Sequence, residues 1–537
     1  MLSNLIKDHW IPVQRANGQQ TLIAPWQLTE TENPILKLTA PRPDFNGALL
    51  QFLIGLLQTT LMPEEQQWYD WLNTPPTPEQ LKQAFSPYQH AFELQHEKGA
   101  FMQDLEVLNT EPNSISDLLI DGPGGNTIKE NKDFFVKRGR VEQLCPCCAV
   151  TALFTLQTNA PAGGVGHRTS IRGGGPLTTL IVVDDKKSVG SEDEGALAND
   201  LWRNVWLNVL NQEVFNTKLT GDHKKTDKAF IFPWLAATRT SEKGGKDTTP
   251  IDTHPLQMYW AMPRRIRITW DSESKGHCDL CDAYSEHLVT EYQTKNYGIN
   301  YTGAWQHPLS PYSSNSKTGE VLPQHAQPNG LTYQHWLGFI AGNENQISAL
   351  VVQRYMAISK DWQEATRLSV FGYDMDNMKA RCWYEATFPL YVVPDLLRTE
   401  FSQNIQLLTA AATEFAGFVR SCVKEAWFSR SGDVKGDTSF LTKSFYQRTE
   451  VAFFQIAKDL PNQLKERKLQ TILNQWHGVL RKTAYDLFDY WAASGDITQG
   501  DPRKVAEARS KLGNLMYSKA IKKALMLPDK PKHKEAA

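Results

Sequence analysis

The sequence predicts an α+β protein in two parts, a large mixed N-terminal domain with a zinc-binding cysteine cluster and a C-terminal four-helix bundle. Three observations carry this. At 537 residues the chain exceeds the size at which one hydrophobic core keeps growing, so two or more domains are expected. Up to about residue 390, short apolar strands and helical patterns alternate with frequent Gly, Pro and Asn, whereas nearly everything beyond Pro394 is helix-periodic. Two CxxC pairs, Cys145/Cys148 and Cys278/Cys281, stand inside the mixed part. The expected boundaries are 1–390 for the mixed domain, 391–527 for the bundle, and 528–537 for a charged tail that composition assigns to disorder.

Composition narrows the function classes. A 41% hydrophobic and 22% charged content is that of an ordinary globular protein. No run of about 18 apolar residues exists, and Lys7 and Asp8 interrupt the start MLSNLIKDHWIPV where a signal peptide needs an apolar stretch, so the expected location is the cytoplasm. The net charge of −2 argues against coating nucleic acid through one large basic surface, so any such contact must be local.

In the C-terminal part the periodicity predicts helices over 395–428, 439–460, 462–494 and 502–526, separated by SRSGDVKGD, Pro461 and GDITQGDP. Leu441, Phe445, Ala452, Ile456 and Leu460 form one apolar stripe on the second. Short connections between such stripes imply antiparallel neighbours. In the first part, the polar, Gly-containing stretches 184–198 and 236–250 read as exposed, disordered insertions.

Each CxxC pair offers two thiolates from one tight turn, and four sulfurs make a closed tetrahedral zinc site. Joining segments about 130 residues apart, such a site is a staple, not a catalyst, because no open coordination position remains. The alternatives are buried free cysteines or a redox pair, with Cys147 available to replace a neighbour.

Two loops flank the first knuckle. Before it, Lys129, Lys132, Lys137, Arg138 and Arg140 surround the tip Phe134, Phe135 and Val136, a pattern suited to stacked bases and phosphates or equally to a solvated loop with an apolar anchor. After it, residues 161–176 hold six glycines, which permits close backbone approach by a ligand. The GK[ST] ending of a phosphate-binding Walker loop is missing. His254, His287 and His307 have no partners in any recognisable catalytic spacing, so the expectation is a protein that is not an enzyme.

The order of motifs along the whole chain resembles the CasA large-subunit family of type I-E CRISPR Cascade complexes. The resemblance rests on Leu5 to Val13 (LIKDHWIPV), Pro41-Arg42, Phe101-Met102-Gln103, and the run from Leu144 through Cys145 and Cys148 to Phe154. It continues through Ile171-Arg172, Gly174, Pro176, Thr178-Thr179, Trp305, His307-Pro308, Ser310-Pro311 and Gly372-Tyr373. It implies a non-catalytic subunit of an RNA-guided ribonucleoprotein in which guide pairing reads the target and the protein reads the short flanking motif, the PAM. In this family a glycine loop, a lysine finger and a polar wedge read the PAM from the minor groove and promote duplex opening and R-loop formation.

Carried over by position, the glycine loop falls on Ala162, Gly163 and Gly164, with Ala162 where the family has a glycine. The finger falls on Asn296 with Lys295 beside it, leaving either as the donor, and the wedge falls on Asn377 and Met378. Phe134, Phe135, Val136, Lys137 and Arg138 match the loop that docks on the 5′ handle of the guide RNA. The implied partners are PAM-bearing double-stranded DNA, the guide RNA, other Cascade subunits including the small-subunit dimer, and a recruited helicase-nuclease. Lys504, Arg509, Lys511, Lys519, Lys522 and Lys523 on the bundle are candidates for strand contact. Two other readings remain: a zinc-dependent nucleic-acid-processing enzyme using His287 or His307, and a scaffold whose loops touch only proteins.

Overall fold

The computed structural model describes the chain except for residues 1, 124–127, 130, 132–138, 165, 185–199, 271–272, 316, 329, 344, 359–364, 377, 392, 429–431, 433–435, 495–500 and 528–537. The chain divides into two compact units, residues 1–326 with 343–387, and residues 327–342 with 388–537.

The first unit is built around the helix Pro43–Thr60. Pro43 at its first turn fixes the entry, and the helix is buried on nearly every side. Its Phe52 meets Trp10, Phe92, Phe101, Phe154 and Trp260, all steeply inclined at centroid distances of 5.2–5.9 Å. Edge-to-face rings satisfy each other's quadrupoles, so this cluster gains beyond its buried area. Alongside packs the helix Pro146–Asn159, whose N-cap is Cys145.

Three small antiparallel sheets frame this core. Ile11–Arg15 lies between Gln20–Ile23 and Ile35–Leu38. Thr366–Asp376 lies between Lys379–Pro389 and Thr178–Val183, with Phe371 opposite Thr178 and Thr366 opposite Val183. Glu291–Lys295 lies between Asn113–Ser114 and Arg265–Ile268, with Lys295 opposite Arg265.

Residues 236–250 do not form the disordered insertion expected from their composition. The Thr248 N–H donates to the Asn300 carbonyl at 2.8 Å, the Ser241 N–H to that of Tyr297 at 3.2 Å, and Arg239 pairs with Asp252 at 3.1 Å. Backbone pairing to 297–302 orders a polar segment that buries little apolar area. Most of the other insertion, 185–199, lies outside the described residues.

The second unit is helical: Arg398–Trp427, Ser439–Lys465, Leu469–Ser494, Pro502–Leu515 and Lys519–Ala524. Arg398–Trp427 packs against each of the other four. Two expected boundaries are corrected. Pro461 does not end the second helix, which runs on to Lys465. Leu460 and Leu464 are both buried there, and their burial offsets the roughly 3 kcal/mol that an interior proline costs. The break falls at Arg467, which takes φ +55° while the Lys468 N–H returns to the Gln463 carbonyl at 2.9 Å. The expected helix 502–526 is two helices, because the Ser518 side chain caps the second by accepting from the Ile521 N–H.

Segment 327–342, expected in the mixed domain, belongs to the helical unit. Tyr333 stacks on Phe453 at 4.1 Å with its hydroxyl 2.8 Å from Thr449 Oγ1, and Trp336 donates to the Pro389 carbonyl at 2.9 Å. Among the described residues no helix is long and apolar enough to cross a membrane. The tail 528–537 lies outside them.

Candidate metal centre and nucleic-acid interface

Cys145, Cys148, Cys278 and Cys281 come together, their sulfurs all within 4.8 Å of one another, although the two pairs are far apart in sequence. The backbone imposes this. Leu144 and Val289 exchange hydrogen bonds of 2.9 and 2.7 Å, and the Asp279 carboxylate accepts from the Glu142 and Gln143 N–H groups at 2.7 and 2.9 Å. The second knuckle sits on the hairpin Gly276–His277 and Tyr284–Ser285, closed by the Asp282 N–H on the Cys278 carbonyl at 2.9 Å.

The sulfurs fit a tetrahedral ion. A Zn–S length of about 2.3 Å sets sulfurs about 3.8 Å apart, and Cys145 and Cys281 are separated by 3.7 Å. Cys145, Cys148 and Cys278 are buried and Cys281 is the exposed member. The thiols share protons unequally: hydrogen bonding with Cys147, then with Cys278, raises that of Cys145 to about 12, while donation from Cys145, Cys148 and Cys281 holds that of Cys278 far below its usual range. As four thiolates they would repel one another at this separation, and a cation between them would remove that repulsion.

Behind the first knuckle, Pro146–Asn159 leads into the glycine loop. The loop is pinned at its base by the Ser170 N–H on the Ala160 carbonyl at 2.9 Å and the Gly175 N–H on the Asn159 carbonyl at 3.0 Å. Ala162, Gly163 and Gly164 are exposed. A Cβ on Gly163 would lie 2.6 Å from the Cβ of His167 and 2.6 Å from Arg264 Nη1. Gly166 has φ +80°, and the Tyr297 N–H donates to its carbonyl at 2.7 Å, which places Asn296 against the loop. Lys295 is exposed at the end of Glu291–Lys295.

The third expected element arrives on the hairpin of Thr366–Asp376 and Lys379–Pro389. Asn377, at its turn, lies outside the described residues; Met378 is 51% exposed, and its Sδ accepts from the Gly164 N–H at 3.1 Å. The hairpin is seated by Gly372, where a Cβ would lie 2.7 Å from the Pro176 carbonyl, and by Tyr373, which donates to the buried carboxylate of Asp44. Asp44 is also held by Arg42 at 3.0 Å. Residues 162–164, Asn296 and Met378 therefore come together on one side of the first unit.

Phe134, Phe135, Val136, Lys137 and Arg138 lie outside the described residues. His307 is fully buried, with Nδ1 accepting from the Leu309 N–H at 3.2 Å and burial depressing its basicity, so it is a core residue. Two of the helical-unit cations are engaged by acids, Arg509 with Asp489 at 2.8 Å and Lys511 with Glu425 at 2.7 Å. The residues that the sequence did not single out are Tyr297, Ser241 and Arg264, which organise the loop from below. Arg168 donates to Ser241 at 2.8 Å, and the Ser241 hydroxyl donates to the Gly298 carbonyl at 2.7 Å. Of these only Ser241 falls in a stretch that composition marks out, 236–250, and there composition points to disorder.

The fold has known relatives. The Thermus thermophilus CasA (Cse1) structure matches with a TM-score of 0.67 at 16% identity, covering 96% of this chain and 100% of that one. Thermobifida fusca Cse1 matches at 0.67 and 14% identity, covering 98% of each. A chain of a CRISPR RNA-guided surveillance complex matches at 0.65 and 14%, covering 96% of this chain and 99% of that one. Identities this low speak to the fold alone. The model of the CRISPR-associated protein Cse1 family, however, matches residues 4–487, nearly the whole sequence. The chain belongs to the Cse1 family.

Proposed function

We propose that this chain is the large subunit of a Cascade surveillance complex, a non-catalytic subunit that recognises the PAM in double-stranded DNA, promotes duplex opening and R-loop formation, and helps recruit the helicase-nuclease. Its family supports the complex; the PAM role rests on one observation above all, the convergence of the exposed glycine loop 162–164, the finger 295–296 and the wedge tip Met378. Backbone amides, an amide or ammonium donor and an inserting side chain are what minor-groove reading and base-pair separation require.

In this reading Cys145, Cys148, Cys278 and Cys281 hold structural zinc, which supplies a fixed tetrahedral crosslink and no open position. Asn377 completes the wedge, the loop from Phe134 to Arg138 contacts the guide 5′ handle, and the C-terminal helices act as a four-helix bundle facing the small-subunit dimer. Catalysis through His307 is disfavoured by its full burial and satisfied Nδ1.

The test is duplex binding by the guide-loaded complex, with and without this chain, across a randomised PAM library at fixed salt. PAM selectivity is expected only when the chain is present. Selectivity that persists without it would leave the chain a scaffold.

A further inference from the structure

The geometry points to Arg264 as a DNA-phosphate contact of the glycine loop, its guanidinium reaching the backbone through the gap that Gly163 leaves. This deepens the PAM-reading proposal and rests on it for the site.

Arg264 directly precedes the strand Arg265–Ile268, and its backbone is fixed at both ends by one side chain. Gln157 accepts from the Arg264 N–H at 3.0 Å and donates to the Arg264 carbonyl at 3.0 Å and the Met102 carbonyl at 3.1 Å. From this anchor the side chain runs under the loop. Nη2 donates to the Pro161 carbonyl, and a Cβ on Gly163 would lie 2.6 Å from Nη1 and 3.1 Å from Nη2. The lack of a Cβ at Gly163 thus lets the guanidinium lie against an exposed stretch of backbone.

The neighbouring arginines show what Arg264 lacks. Arg265 is neutralised by Asp104 at 2.5 Å and Glu106 at 2.9 Å, and Arg267 donates to the Asp104 carbonyl at 2.9 Å. Among the described residues Arg264 has no carboxylate partner, and its buried Nε has no hydrogen-bond partner at all. Burial lowers its pKa to about 10, so it remains a cation at neutral pH. The same charge, together with burial, disfavours protonation of His167 beside it. A desolvated guanidinium with open donors and no acid is costly in the free protein unless an anion arrives. Its planar fork matches the two free oxygens of a phosphodiester. Lys295, at the end of the adjacent strand, adds an exposed cation on this side.

The test uses the guide-loaded complex carrying wild-type chain, Arg264→Lys or Arg264→Gln, binding a PAM duplex and a PAM-less duplex across a salt series. Arg264→Gln is expected to lose up to about tenfold in affinity for both duplexes at the lowest salt, with a log–log salt slope shallower by about one. Arg264→Lys, which keeps the charge, is expected to keep the wild-type slope. An unchanged slope in Arg264→Gln overturns the assignment. So does a loss confined to particular PAM sequences, which would make Arg264 a base reader, or equal slopes for the two variants, which would make its role structural. Where Arg264→Gln fails to join the complex, Arg264→Lys decides: a slope shallower than wild type overturns the assignment. A wild-type chain without PAM preference sinks the PAM reading alone, since the slope on PAM-less duplex still decides Arg264.

Discussion

At the scale of single residues, the four cysteines carry the sharpest consequence. Their sulfurs are held within 4.8 Å by backbone bonds between the two knuckles, so removing one leaves three ligands around an incomplete site. On the structural-zinc proposal, Cys278→Ser is expected to abolish stoichiometric zinc and to cost on the order of 3 kcal/mol or more of first-unit stability. Metal analysis paired with thermal unfolding checks both, and undiminished zinc in the variant would remove the staple. The finger is a second residue-scale question. Asn296 lies against Gly166, whereas Lys295 ends its strand exposed. A base-edge reader is expected to be the residue the loop positions, so Asn296→Ala should cost about 1–3 kcal/mol of PAM discrimination. Lys295→Ala should weaken PAM and PAM-less duplexes alike. Competition binding with matched and mismatched PAM duplexes separates the two, and the reverse pattern would make Lys295 the reader.

At the scale of elements, the proposed site depends on how the hairpin that carries Met378 is seated against the glycine loop. Gly372 is the point of closest approach: a Cβ there meets the Pro176 carbonyl at 2.7 Å, a backbone atom that cannot rotate away. Gly372→Ala is expected to cost about 1–3 kcal/mol by overpacking and to shift Met378 from Gly164. Chemical denaturation reads the first effect, and loss of duplex opening with retained PAM-less binding reads the second. Wild-type behaviour in both would mean that the hairpin is seated elsewhere. This dependence was only partly legible in the sequence. The paired cysteines and the glycine-rich run announce themselves because their chemistry is local to a few residues. Arg264, Tyr297 and the ordered 236–250 segment do not, because they are defined by backbone pairing across long sequence separations. Pro461 misled for a related reason: a local rule about proline was overridden by the burial of Leu460 and Leu464.

At the scale of the whole molecule, the change from mixed to helical periodicity near Pro394 marks where the long helices begin, since a 3.6-residue repeat is written in the sequence itself. Membership of 327–342 in the helical unit was not legible, because it rests on the stacking of Tyr333 on Phe453. Each compact unit also holds a partly buried histidine whose surroundings disfavour its protonation, and this ties global stability to pH. His254 in the first unit accepts from the Leu256 N–H at 3.2 Å, and His335 in the second accepts from the Thr332 N–H at 3.3 Å. Burial lowers both to about 4, with His223 adding to the effect on His254 and Asp222 opposing it. A histidine whose folded pKa lies below its unfolded value of about 6.5 binds more protons when unfolded, so its contribution is intact above that value and falls as pH drops towards 4. For His335, partly buried, the loss across that window is at most on the order of 2 kcal/mol once solvent screening is allowed for, and for the half-buried His254 it is smaller. Urea unfolding at a series of pH values between neutral and 5, above the range where ordinary carboxylates titrate, should show a falling midpoint. His335→Gln should flatten the part that belongs to the helical unit. A midpoint constant over this range would mean that neither imidazole is held neutral by the fold.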